Sequence, residues 1–196
     1  MFGKRLAGVT IASALISAAA YAQEGNIAYK NDAAVQAFGS FVKSTSQNGI
    51  DQSATNSGGV LASYRFFFNN HNGVEVNYGY SLNTQNYTGV GVTSYSHEAS
   101  AAYIFRLPQR RWALFLLAGT GALVFEPKDF ASANTQARAT GIYGAGADIN
   151  LTQHVFLRAE YRGLIYNSPT YDLIGLAGAD RVTHRAEPSI GFGYRF

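Results

Sequence analysis

The chain contains no cysteine among its 196 residues, and charged residues make up only 14% of it. The absence of cysteine excludes a disulfide framework and thiolate metal sites such as structural zinc. An ordinary soluble domain carries about 25% charged residues. Glycine (21 residues), tyrosine (13) and phenylalanine (13) are frequent instead. The length therefore suits one domain that is aromatic, glycine-rich and poor in charge.

A helix long and apolar enough to cross a membrane is also missing after residue 22. The longest apolar run, Ala113 to Phe125, is interrupted by Gly119 and Gly121, and a membrane-spanning helix needs about 20 apolar residues. The net charge of +3 comes without any cluster of lysine and arginine. We therefore expect no nucleic-acid partner.

The first 22 residues have the pattern of a secretory signal peptide. Lys4 and Arg5 precede an apolar stretch, and Ala20-Tyr21-Ala22 has the form of a cleavage site. We predict cleavage after Ala22, followed by a short periplasmic segment at 23–32 and one domain at 33–196. Cleavage removes two basic residues and no acidic one, which leaves 13 basic residues against 12 acidic ones.

The remaining sequence alternates between apolar and polar residues with a period of two. In the last segment Ile190, Phe192 and Phe196 occupy one face, whereas Glu187 and Arg195 occupy the other. Successive side chains of a strand point to opposite faces, so this pattern predicts a strand. Eight such segments occur, at 33–43, 60–68, 73–83, 95–106, 112–125, 137–150, 155–166 and 184–196. The segment at 112–125 is apolar on both faces, and its orientation stays open.

The connections between these segments alternate in length. Short turns lie at 69–72, 107–110 and 151–154, and longer loops lie at 44–59, 85–94, 126–136 and 167–183. An even number of strands with short turns at one end and long loops at the other is typical of outer-membrane barrels. A secreted soluble β-sandwich is the alternative. Such sheets usually carry lysine at their exposed edges, and no confidently predicted strand here contains one. We therefore predict an all-β fold, an eight-stranded antiparallel up-and-down transmembrane β-barrel.

From residue 23 to its end the chain resembles the small outer-membrane β-barrel proteins of Gram-negative bacteria. These include the membrane domain of outer membrane protein A and outer membrane protein X. The aromatic end carries the most specific likeness, and it implies an assembly signal at Ile190, Phe192, Tyr194 and Phe196. The resemblance implies residence in outer-membrane lipid, contact with the barrel-assembly machinery and a porin-like monomer. We expect no cofactor.

Charged residues on the predicted inward face form a candidate site. An eight-stranded barrel has an interior that side chains can just fill, and unpaired buried charges are very unfavourable there. We therefore predict an ion-pair network that plugs the lumen. A narrow channel for small solutes is the alternative. The predicted network comprises Arg65, Glu75, Glu98, Arg106, Arg138, Asp148, Arg158, Glu160, Arg162, Arg185, Glu187 and Arg195.

The long loops are the candidate contact surfaces for a partner. The segment 44–59 is polar throughout, whereas 167–183 holds apolar residues expected to be exposed, namely Tyr171, Leu173, Ile174 and Leu176. The alternative for the second loop is that it lies on the barrel rim.

An enzyme is the third hypothesis, because some small barrels modify lipids with a His/Ser/acid group. Here His97 faces away from Glu98 and Ser100, so these residues do not converge within one strand. The sequence also lacks a metal motif of two spaced histidines and an acidic calcium loop. We therefore predict a non-enzymatic surface or envelope protein with no catalytic, cofactor or metal residues.

Overall fold

The computed structural model describes residues 29–47, 50–87, 90–128, 133–171 and 181–196. The predicted signal peptide lies outside these residues and stays a prediction. Within them the regular structure is all β, and no helix long and apolar enough to cross a membrane occurs. The strands are β1 (Asn31–Val42), β2 (Thr45–Gln47), β3 (Ile50–Ala54), β4 (Ser57–Phe67), β5 (Asn72–Tyr87), β6 (Val90–Pro108), β7 (Trp112–Pro127), β8 (Gln136–Asn150), β9 (Val155–Asn167) and β10 (Val182–Arg195).

Eight long strands close into an antiparallel barrel, as the sequence predicts. Neighbours in sequence pair from β4 to β10, and β1 joins the two ends by pairing with both β4 and β10. The pairing of β5 with β6 completes the ring. Closure leaves no free edge among the eight long strands, so each of them can satisfy its backbone hydrogen bonds across the bilayer without water.

The alternation of the sequence determines which face of each strand meets the lumen. In β10 the side chains of Arg185, Glu187 and Ser189 are buried, whereas Ile190 and Phe192 are 57% and 62% exposed. β9 follows the same rule, with Arg158 buried and Tyr161 exposed. The polar face is therefore the interior, and the apolar, aromatic face is the outer wall. This is the reverse of a soluble sandwich and matches a barrel in lipid.

The fully apolar strand β7 also has a defined orientation. Leu114 and Leu116 point outwards, whereas Phe115, Leu117 and Phe125 are buried inside. Together with buried residues of β6, β8 and β9, they form an apolar inner wall that includes Ile104, Leu123, Ile142 and Leu164. The lumen is therefore polar on one side and apolar on the other, which alternation alone did not reveal.

Two predicted loops are largely strand, which corrects the sequence interpretation. The segment 44–59 contains β2, β3 and the start of β4, and β3 pairs with the end of β5. The segment 85–94 is mostly the β5–β6 hairpin, paired as far as Tyr87 and Val90. The reason is that β5 and β6 extend for 16 and 19 residues, beyond the 9–11 that cross a bilayer. Beyond the bilayer, the backbone groups at the end of β5 pair with the polar strand β3.

Candidate functional site in the barrel lumen

The structure places ten of the twelve predicted network residues in ion pairs with one another or with a neighbour. Together with Asp32, they form two groups at different heights along the barrel. The basal cluster, near the short-turn end, contains Asp32, Arg65, Glu75, Asp148, Arg158, Glu160 and Arg195. The central cluster, at mid-height, contains Glu98, Arg162, Arg185 and Glu187.

Arg158 and Arg65 organise the basal cluster from opposite sides of Asp148. Arg158 donates from Nε to Asp148 Oδ1 at 2.7 Å, and Arg65 donates from Nη1 to Asp148 Oδ2 at 3.4 Å. Arg65 also pairs with Glu75 on the neighbouring strand, and its Nη2 lies 3.7 Å from Glu160 Oε2. All five side chains are buried. Each guanidinium therefore bridges several strands of the barrel.

The central cluster is built around a forked contact. Arg162 donates from Nη1 and Nη2 to the two oxygens of Glu98, at 2.8 and 2.9 Å. Arg162 also contacts Glu187, and Arg185 Nη2 lies 2.6 Å from Glu187 Oε1. Ser100 donates to Glu98 at 2.8 Å. Two-pronged contacts of this kind combine charge with fixed geometry, and here they link β6, β9 and β10.

Two predicted members stay outside the ion pairs of the described residues. Arg106 is buried, and its guanidinium lies over the Phe67 ring, 3.9 Å from the centroid. Arg138 is partly buried and donates to Gln136 Oε1 at 3.1 Å. A guanidinium over an aromatic face gains electrostatic stabilisation without a carboxylate. Ten of the predicted residues therefore have an ion-pair partner among the described residues, and these two do not.

Asp32 is a network residue that the sequence analysis missed. Its carboxylate is 1% exposed and accepts from Arg158 Nη2 at 3.1 Å. The sequence predicts a barrel that begins at residue 33, but β1 already begins at Asn31. The signal was present, because Asp32 has the same parity as the buried Gln36 and Ser40.

The apolar inner wall supports the basal cluster. The guanidinium carbons of Arg65 and Arg158 lie 4.0 and 5.6 Å from the Phe115 ring centroid, and that of Arg195 lies 4.5 Å from the centroid of Phe156. The arginine side chains therefore fill the space between carboxylates and aromatic rings. At this height the cross-section contains side chains from both halves of the barrel.

Tyr171 is buried at the extracellular end of the barrel, contrary to the prediction. We predicted an exposed side chain, but it is 0% exposed and its hydroxyl lies 3.0 Å from Ser94 Oγ. Burial raises the pKa of the Tyr171 phenol above its usual value. The residue adopts a φ of 54°, which is rare for a bulky side chain. Leu173, Ile174 and Leu176 lie outside the described residues.

The four histidines are all engaged in local contacts. Tyr78 and Tyr143 on the outer wall place their hydroxyls 2.8 Å from ring nitrogens of His97 and His184. His154 contacts Tyr29, and His71 Nδ1 lies 3.0 Å from a backbone carbonyl. A polar ring on a lipid-facing wall needs such a partner. The described residues also contain no group of three side chains that could hold a metal ion.

The aromatic end of the chain lies on the outer wall. Ile190, Phe192, Tyr194 and Phe196 are all more than half exposed. The backbone of Phe196 donates to Asn31 at 3.1 Å, next to the pairing of β10 with β1. The predicted assembly signal is therefore accessible along the strand that closes the barrel.

Comparison with known proteins identifies the family. The model of the outer membrane protein beta-barrel domain family matches residues 9–196. The chain belongs to this family. As an outer-membrane β-barrel protein it resides in the cell outer membrane, so the predicted family and location are confirmed. No curated protein matches its sequence.

Solved structures support the same fold for this outer-membrane β-barrel protein. OprG from Pseudomonas aeruginosa has a TM-score of 0.60 at 14% identity, over 86% of this chain and 97% of OprG. Neisserial surface protein A has a TM-score of 0.61 at 17% identity, covering 84% and 97%. Ail, the attachment invasion locus protein of Yersinia pestis, has 0.53 at 18%, covering 85% and 99%. At these identities the likeness shows the fold alone.

Proposed function

We propose that this barrel is a non-enzymatic surface protein whose extracellular strands and loops make contacts while its lumen is plugged. The main support for a plugged lumen is the pair of charged clusters. They span the lumen at two heights, and the basal cluster packs against an apolar inner wall. A blocked interior leaves the exposed ends of the barrel as the surfaces available for interaction.

The long extracellular extensions support a contact role. β5 and β6 continue beyond the bilayer, and β3 adds to their sheet, so the outer end is a structured surface and not a set of short turns. Among the structural neighbours, Ail is named for attachment and invasion. Its likeness is one of fold, so attachment is our proposal for this chain.

Adhesion of bacteria to cultured cell monolayers tests this proposal. We expect cells carrying the full chain to adhere more than cells lacking it. Replacing residues 45–54 with a short Gly-Ser linker should remove the gain. The matched control is Arg110→Gln, at the opposite end of the barrel, which should leave adhesion unchanged. Equal adhesion with and without the protein would refute the attachment role.

The two alternative functions, a solute channel and a lipid-modifying enzyme, predict different experimental results. A narrow solute channel requires stable conductance in a planar bilayer, which the charged clusters argue against. A lipid-modifying enzyme requires a changed lipid A profile, measured by mass spectrometry in cells with and without the gene. We expect no change, because His97 faces the outer wall and Glu98 faces the lumen, where it pairs with Arg162.

A further inference from the structure

The outer wall has an apolar groove at the periplasmic end of β7 and β8. Its volume is about 360 Å³, and Arg111, Trp112, Leu114, Ala147 and Ile149 line it. Trp112 lies opposite Ile149, and Leu114 lies opposite Ala147. The small side chain of Ala147 leaves a depression between three larger neighbours, which are each 43–46% exposed.

The charged end of this groove is held in place by the fold. Arg110 and Arg111 form the short turn before β7, and Asn150 fixes that turn. The Asn150 backbone donates to the Arg111 carbonyl at 2.9 Å, and its side chain donates to the Arg110 carbonyl at 3.5 Å. Both arginine side chains are exposed, and neither forms an ion pair with a described residue.

At the periplasmic end of the barrel, the exposed charged side chains of the residues that the structure describes are cations. Lys30, Arg110 and Arg111 are its exposed cations. Acidic side chains of known burial lie elsewhere: Glu126 is at the extracellular end, and the lumen contains Asp32, Glu75, Glu98, Asp148, Glu160 and Glu187. The exposed arginines beside the groove therefore attract an anion.

We propose that this groove binds an anionic phospholipid of the periplasmic leaflet. The acyl chain lies along Leu114, Ala147 and Ile149, and the headgroup phosphate lies on the Arg111 guanidinium. Arginine suits this role because its planar fork matches phosphate oxygens. The Trp112 indole lies at the interface between the two, where such rings are enriched.

A second groove on the same wall provides an internal control. It has a volume of about 470 Å³ near the short-turn end of β1, β4 and β10, and its lining includes Ala62, Val35, Phe192 and Tyr194. None of its lining residues is charged. It offers an acyl chain at least as much space, but no charged side chain lines it. Comparing lipid binding at the two grooves therefore distinguishes the contribution of apolar contact from that of the arginine charge.

Spin-labelled lipids in vesicles measure lipid binding to the barrel directly. The fraction of motionally restricted lipid is read from electron paramagnetic resonance spectra. We expect the purified barrel to associate more strongly with phosphatidylglycerol than with phosphatidylcholine. Arg110→Gln and Arg111→Gln should each lower that preference by about fivefold, as expected for one cation near a lipid surface. Ala147→Leu, which fills the groove, should also lower it, whereas Ala62→Leu should not.

Several outcomes would overturn the site. They are equal association of both lipids with the unmodified barrel, an unchanged preference in Arg111→Gln, or an equal loss in Ala62→Leu. The shift in electrophoretic mobility on boiling verifies that each variant is folded. The adhesion experiment does not depend on this groove, so the two proposals can fail separately.

Discussion

Buried ion pairs occupy the interior of this barrel. In the central cluster, Arg162 has ion pairs with two carboxylates. It contacts both oxygens of Glu98 and also Glu187, and its side chain is 0% exposed. Removing one partner from a buried ion pair leaves an uncompensated charge, which is more unfavourable than losing the whole pair. The network is therefore sensitive to single substitutions.

Arg162→Met should lower the free energy of unfolding by about 3–5 kcal/mol. The measurement is reversible denaturant unfolding in lipid vesicles. Arg138→Met is the matched control, because Arg138 has no ion pair with a described residue, and it should cost less than about 1 kcal/mol. Adding Glu98→Gln and Glu187→Gln to Arg162→Met should restore part of the loss. Equal effects of the two arginine substitutions would contradict the assignment.

Gly191 illustrates how closely two strands approach. A Cβ at this position would lie 2.0 Å from the Val35 carbonyl oxygen and 2.5 Å from the Gln36 Cα. At Gly141 on β8, a Cβ would meet no heavy atom within 4 Å. The two glycines therefore differ in how much the neighbouring strand restricts them.

Gly191→Ala should destabilise the barrel by about 1–3 kcal/mol, because β1 and β10 must move apart. Gly141→Ala should change the free energy of unfolding by less than about 0.5 kcal/mol. Both are measured by the same vesicle unfolding. If Gly141→Ala were the more harmful of the two, the strand packing described here would be wrong.

At the scale of elements, each strand divides lipid from lumen. β7 shows this best, because Leu116 is 50% exposed on the outer wall while the adjacent Leu117 is 4% exposed. Sequence alternation could not orient this strand, since both of its faces are apolar. Tertiary structure supplied the missing information, because the inner face of β7 packs against the arginines of the basal cluster.

Leu116→Arg should destabilise the barrel by about 2–4 kcal/mol, the cost of a cation on the lipid face near mid-bilayer. Val182→Arg, at the extracellular start of β10 and 68% exposed, should cost about 0–1 kcal/mol. Unfolding in vesicles compares them. Equal tolerance of both substitutions would indicate that water, and not lipid, surrounds the wall.

The sequence also misassigned elements beyond the bilayer. Polarity predicted a loop at 44–59, but Gln52 and Ser53 pair with β5 through the backbone. Such pairing depends on an available neighbouring strand and leaves no apolar periodicity to detect. Tyr171 is the opposite case, because the apolar residues of its loop gave no indication that this side chain is buried beside Ser94.

At the scale of the whole molecule, fold and family follow from the sequence better than function does. Barrel closure, the eight barrel strands and the inward face of the clearly alternating strands follow from alternation and turn spacing, because one surface meets lipid and the other a crowded interior. The partners of individual charges do not follow. Asp32 and Arg158, for example, are 126 residues apart and meet only across the lumen.

The scarcity of charge acquires a structural meaning at this scale. In the part of the chain that the structure describes, six acidic side chains lie in the lumen, where five arginines of the two clusters contact them. Such pairing fixes side chains in the only space through which a solute could pass. A closed lumen is therefore the central claim about how this barrel is built.

Single-channel recording in planar bilayers tests that claim most directly. The purified, folded barrel should insert without producing stable conductance steps, because we propose that the ion pairs of the two clusters block its lumen. Reproducible, long-lived channels of one unit conductance from the unmodified protein would contradict the account and favour a solute channel.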